Sequence, residues 1–265
     1  MTTRNTIRFL LAACSLLASA AFAQGFSAVV SPPRFEDSAK PGTTYRNVVE
    51  IDNMSAEPAH FTVRTADWML LPDGGVQFTD ALAADSCRPW VGIEADELNL
   101  SGNGKRRYRF EVQVPADAPR RECRFALLIE GDPEPVRNSI SIPVSGRIGV
   151  IVYLSIGDAA PRLEITGQRV ARLDGQDVPA LRVRNDGDAH GRLQGFVDGT
   201  DARGRRYAFA PSSSPIMPGE TRDIALQPQA DDPASPPPAL EFPVKLQGRL
   251  DSGTQRIDIA ATVAR

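Results

Sequence analysis

Lysine is nearly missing from this 265-residue chain, occurring only as Lys40, Lys105 and Lys245, and histidine only as His60 and His190. Arginine supplies the remaining positive charge, and 30 basic against 33 acidic residues leave a net charge of −3. That balance gives no basic footprint for a nucleic-acid partner. After residue 23 no apolar run approaches the ~20 residues needed to span a bilayer, so no transmembrane segment is expected. Two cysteines and two distant histidines beyond residue 23 form no ligand set with recognisable spacing, which argues against zinc. There is no Gly-x-Ser-x-Gly elbow, and Gly102-Asn103-Gly104-Lys105 lacks the rest of a phosphate-loop spacing. Asp186-Gly187-Asp188-Ala189-His190-Gly191 opens like a calcium loop but reaches Val197 where the twelfth-position glutamate belongs. It is expected to be a turn. No cofactor is implied, and nothing reads as an enzyme.

The N-terminus is built for export. Arg4 and Arg8 precede an apolar or small-residue run over 9–22, and Ala21-Phe22-Ala23 is a small-x-small cleavage site. Residues 1–23 are therefore expected to be a signal peptide, with Gln24 as the first mature residue. Leu11-Ala12-Ala13-Cys14 also resembles a lipobox, which would lipidate Cys14. Against this, the apolar run before Cys14 is short and the stretch continues to Ala23. An even pair of cysteines in an exported protein reads as a disulfide, Cys87 with Cys123. The expected location is the periplasm, with the cell surface as the other choice.

Beyond residue 24 helix signals are scarce, and 22 prolines and 21 glycines punctuate the chain. Between them run short period-two alternations, the signature of strands. Tyr108, Phe110, Val112 and Val114 alternate with Arg107, Arg109, Glu111 and Gln113. Phe61, Val63 and Thr65 alternate with His60, Thr62 and Arg64. Ile140, Ile142 and Val144 alternate with Ser139, Ser141 and Pro143, and the pattern resumes at Ile148, Val150 and Val152. About seven strands fit between residues 27 and 155. A linker over 157–161 leads to a second series that reaches Val263, interrupted by a proline-rich loop at 231–238. The expectation is all-β: two immunoglobulin-like β-sandwiches, over 24–156 and 157–265. Trp68 and Trp90 are expected to anchor core or rim.

The run Arg121-Glu122-Cys123-Arg124-Phe125-Ala126-Leu127-Leu128-Ile129-Glu130, followed by a short loop and the long alternating segment 139–154, resembles the N-terminal domain of the periplasmic pilus (fimbrial) chaperones, the PapD-like immunoglobulin fold. Ser31-Pro32-Pro33-Arg34, Lys40-Pro41-Gly42, Asp67-Trp68 and the stretch from Val114 to Pro119 add to a resemblance to a divergent branch, covering roughly 27–155. It implies β-strand addition, in which the last strand of the first domain lends apolar side chains to a pilus-type subunit. Ile140, Ile142 and Val144 are then the partner-binding side chains. The family also grips the subunit's C-terminal carboxylate with two basic residues in the interdomain cleft. Arg34 takes the first position. The second falls on Gly149, and Arg147, two residues earlier on the same face, is its substitute. The alternative is a non-catalytic structural or scaffold module of a bacterial envelope or surface assembly.

Overall fold

The computed structural model describes residues 27–132, 134–135, 143–144, 146–230 and 237–265. The export segment, Cys14, Ile140 and Ile142 lie outside the described residues. The first unit holds β1 (Ala28–Ser31), β2 (Arg34–Ala39), β3 (Thr44–Asn53), β4 (Ala59–Leu70), β5 (Val76–Thr79), β6 (Val91–Ile93), β7 (Glu97–Leu100), β8 (Lys105–Gln113), β9 (Glu122–Gly131), β10 (Glu134–Pro135), β11 (Pro143–Val144) and β12 (Arg147–Ile156). The second holds β13 (Leu163–Leu173), β14 (Gln176–Asn185), β15 (Val197–Thr200), β16 (Arg206–Pro211), β17 (Thr221–Pro228), β18 (Val244–Ser252) and β19 (Gln255–Val263). The only described helical turn is a 3₁₀ turn at Arg88–Trp90. The chain is all-β, with two immunoglobulin-like sandwiches.

In the first sandwich, a four-stranded sheet (β1-β3-β8-β6) faces a larger one (β2-β12-β9-β4-β5, with β7 also on β4). The alternation seen in the sequence becomes the core: Tyr108, Phe110 and Val112 of β8 point inward to meet Phe61, Val63, Phe125, Leu127, Val150 and Val152. Phe110 packs edge-on against Phe35 and Phe125, with centroids 5.3 and 6.0 Å away. Cys87 and Cys123 are bonded, Cα to Cα 5.4 Å, and tie the loop before the 3₁₀ turn to β9. The unit has more strands than the seven expected, because short pieces such as β6 and β7 are too brief to show a period.

Along β9 the larger sheet is buried on both faces. Beyond its pairing with β9, β4 continues into a hairpin with β5 that brings Phe78 over the outer face. There Ala66, Trp68, Ala126, Leu128 and Tyr153 form a second apolar cluster, joined by Phe78, Ile151 and, from the second domain, Met217. This explains why β9 reads as a continuous apolar run rather than an alternating one.

The second sandwich follows the order β13-β14-β17-β16-β15-β18-β19. β17 joins its halves, pairing with β14 over its first residues and with β16 over its last. The outer strands β13 and β19 return to one another, where Gln255 donates to the Leu163 carbonyl and accepts from its amide. One core, including Leu181, Val183, Phe209, Ile224, Leu246 and Ile259, fills the interior.

Candidate functional site

One side of β12 pairs with β9 along Arg147–Ser155. The other pairs in parallel with β2, but only from Ile151 onward. Ile151 donates its N–H to Pro33 on that second side. Strand groups alternate in direction, so the amides of Arg147 and Gly149 point the same way, beyond the reach of β2. Among the described residues, this stretch of β12 has no strand on its β2 side. Just before it, β11 pairs with β10, placing the Val144 backbone opposite Glu134.

The two arginines are not brought together. Arg34 stands opposite Ile151, and Arg147 lies four residues along, about 13 Å at strand rise. Each is already engaged by a carboxylate: Arg34 contacts Glu36 at 2.6 Å, and Arg147 contacts Glu130, which Arg64 also holds, at 2.6 Å. Both are half-exposed, so these pairs add little stability. At Gly149, a Cβ would lie 2.2 Å from Cζ of Phe78. The aromatic ring occupies the outward position on β12 that a second basic side chain would need.

The domain junction is instead built from residues the sequence did not single out for a role. His190, in the 186–192 loop of the second domain, stacks on Tyr153 of β12 with centroids 3.9 Å apart. Its Nδ1 meets Glu122 at 2.5 Å and its Nε2 meets Glu36 at 3.5 Å. Arg192 donates to the same Glu36 oxygen at 3.1 Å, donates to the Ser213 carbonyl, and lies over the Tyr153 ring. Glu122 also donates its backbone N–H to Asp188, and Arg222 donates to the Leu71 carbonyl.

The electrostatics follow from this packing. The His190 hydrogen bond, opposed by burial and aided by the charges of His190, Arg192 and Arg34, lowers the Glu36 carboxyl to about 2. Burial, eased by Arg192, pushes the Tyr153 phenol up to about 12. Glu36 and Glu122 sit at opposite nitrogens of one ring, so they do not converge on a shared point. Among the described residues, no group of three or more His, Cys, Asp or Glu side chains is placed to hold a metal. A cavity of about 350 Å³ opens beside the network between Glu36, Ser38, Ser155 and Pro161.

No family model and no curated protein matches the chain. Among solved structures, it is similar in fold to the SafB chaperone bound to the SafA pilin of Salmonella enterica, at 12% identity, covering 90% of this chain and 98% of that one, with a TM-score of 0.48. It is similar also to the CupB2 chaperone of Pseudomonas aeruginosa, at 11% identity over 89% of this chain and 100% of that one, with a TM-score of 0.46. The CsuC–CsuE chaperone–adhesion subunit complex of Acinetobacter baumannii gives 15% identity over 90% and 100%, with a TM-score of 0.43. These likenesses concern fold alone. Among the described residues, no helix is long and apolar enough to cross a membrane.

Proposed function

We propose that this chain is a periplasmic, chaperone-like binding protein rather than an enzyme, and that it holds exported subunits of pilus or fimbria type by β-strand addition. In this reading residues 1–23 are removed on export, and 24–156 and 157–265 act as the two domains. The observation that carries it is the open side of β12 over Arg147–Val150. Main-chain groups there, which have no strand partner among the described residues, would extend a partner's sheet, and side chains at alternate positions would give specificity. Ile140, Ile142 and Val144 share the alternation of Ile148 and Val150 and would supply those side chains. Arg34 and Arg147 flank this stretch. To grip a chain-terminal carboxylate, either would have to give up Glu36 or Glu130.

The test is Ile142→Asp in the full chain, read by a pull-down of exported proteins and a thermal melt. Strand addition is expected to lose the partner with the melting temperature unchanged. A residue that instead packs in the domain's own core would bury a charge and lower stability by several kcal/mol, at least ~2. The second reading is a non-catalytic scaffold module of an envelope or surface assembly. It is favoured by the interdomain network, which fills the junction with the protein's own charges. A scaffold would tolerate Ile142→Asp without loss of its partners.

A further inference from the structure

The His190 junction carries an inference independent of which partner the chain holds. An imidazole ring has two nitrogens but, when neutral, only one N–H. Here each nitrogen meets a different carboxylate, Glu122 through Nδ1 and Glu36 through Nε2. Only the doubly protonated ring can donate to both. A neutral ring would turn a lone pair toward one of them. Glu122 is poorly placed to tolerate that. Its side chain is 2% exposed, and its Oε1 has no hydrogen-bond partner among the described residues. Both carboxylates belong to the first domain and the ring to the second.

We propose that His190 is a proton-operated clamp between the two domains: the doubly protonated ring ties β2 and β9 to the 186–192 loop, and loss of one proton releases the junction. The charged and titratable groups around it come from every element packed there. They are Arg34, Glu36 and Asp37 on β2, Glu122 and Arg124 on β9, Tyr153 on β12, Arg120 just before β9, and Asp188 and Arg192 on the ring's own loop. Arg120 is engaged by Asp188 and Arg192 by Glu36, so neither stands in for the ring at Glu122. The His190 backbone N–H, 3.1 Å from Glu122 Oε2, stays with that carboxylate whatever the ring's charge, but supplies one donor where the protonated ring and backbone together supply two.

The direction of the pH response follows. Burial works against the charged ring, but hydrogen bonds to Glu122 and then Glu36 outweigh it and raise His190 above its ordinary 6.5. The clamp's contribution is therefore complete below 6.5 and is lost as pH rises through the higher folded value. On the acid side Glu36, lowered from 4.5 to about 2, keeps its contribution above 4.5 and loses it as pH falls through 2. The junction is tightest between 4.5 and 6.5. Each unit by which the closed-state pKa of His190 exceeds the open-state value shifts the opening equilibrium about tenfold.

The experiment uses the full mature chain. Nitrogen-15 spectra of the histidine side chains give the titration of His190, with His60, which pairs with Asp132 inside the first domain, as internal reference. Small-angle scattering at about pH 6 and about pH 9, on either side of the ordinary histidine value, reads the spread of the two domains. Both His190 nitrogens are expected to be protonated at the lower pH, and the scattering profile to broaden at the higher. His190→Gln is expected to give the broad profile at both. A wild-type profile that does not change, or a His190→Gln variant that still changes with pH, overturns the proposal. Should that variant fail to fold, Glu36→Gln is expected to move the transition down by about one pH unit. An unmoved midpoint overturns the proposal equally.

Discussion

The contact between Phe78 and Gly149 can be tested by adding a single methyl group. In Gly149→Ala the new Cβ would stand 2.2 Å from Cζ of Phe78 and 2.8 and 3.0 Å from its two Cε atoms. Carbon contacts relax at ~3.5–4.0 Å, so the ring would have to retreat by more than about 1 Å. An alanine in a strand ordinarily gains about 0.5–1 kcal/mol over glycine, whereas overpacking costs about 1–3 kcal/mol. The net expectation is a loss of about 1–2 kcal/mol. In a Phe78→Ala background the obstruction is gone, and the same change should be neutral or stabilising. The double-mutant coupling is then about 2 kcal/mol, well above additivity error. Both tryptophans, Trp68 and Trp90, lie in the first domain, so tryptophan fluorescence in urea follows that domain alone. Unchanged slopes would confirm that the midpoints report stability. A coupling within about 0.3 kcal/mol would show that the ring does not rest on β12. It would also remove the argument that the second basic position is blocked.

Two further outcomes follow from the packing. Cys87 and Cys123 are separated by 36 residues, a loop whose closure is worth about 4 kcal/mol in the chain-entropy model. Replacing both by alanine should lower the first domain's stability by that order, and a loss under about 1 kcal/mol would contradict the entropic account. In the second domain, fully buried Asn185 donates to the carbonyls of Ala189 and Ile216, both at 2.8 Å, and accepts from the amides of Arg162 and Gly187. Asn185→Ala strands three backbone groups, the Ala189 carbonyl and the Arg162 and Gly187 amides, while the Ile216 carbonyl keeps the Gly191 N–H. It should cost about 3 kcal/mol by circular dichroism melting, which a change below about 1 kcal/mol would refute.

What the sequence made legible was local. Period-two alternation placed Tyr108, Phe110 and Val112 inward and Arg107 and Arg109 outward, as the sheet has them. Pro-Gly dipeptides are turn signals, and at 41–42 and 218–219 both glycines take positive φ, 76° and 75°. The functional geometry was not legible, because it depends on contacts far apart in the chain. Phe78 and Gly149 meet only because the β4–β5 hairpin folds across the sheet. His190 sits in a stretch whose local pattern reads as a turn, and nothing near it in sequence announces Glu36 or Glu122. Arg34 was visible as a basic residue on a strand, but its carboxylate partner at position 36 takes part in the interdomain network. An exposed ion pair between residues two apart carries no distinctive sequence signal.

The strand-addition account turns on two amides, those of Arg147 and Gly149 on the open side of β12. Residue-resolved hydrogen exchange, in the free chain and in a complex with a co-purified exported subunit, reads them directly. The account expects both to exchange quickly in the free chain and to become protected in the complex, by about a hundredfold or more if the new sheet bonds open only rarely. A stable complex in which both amides keep their free-chain exchange rates would contradict it.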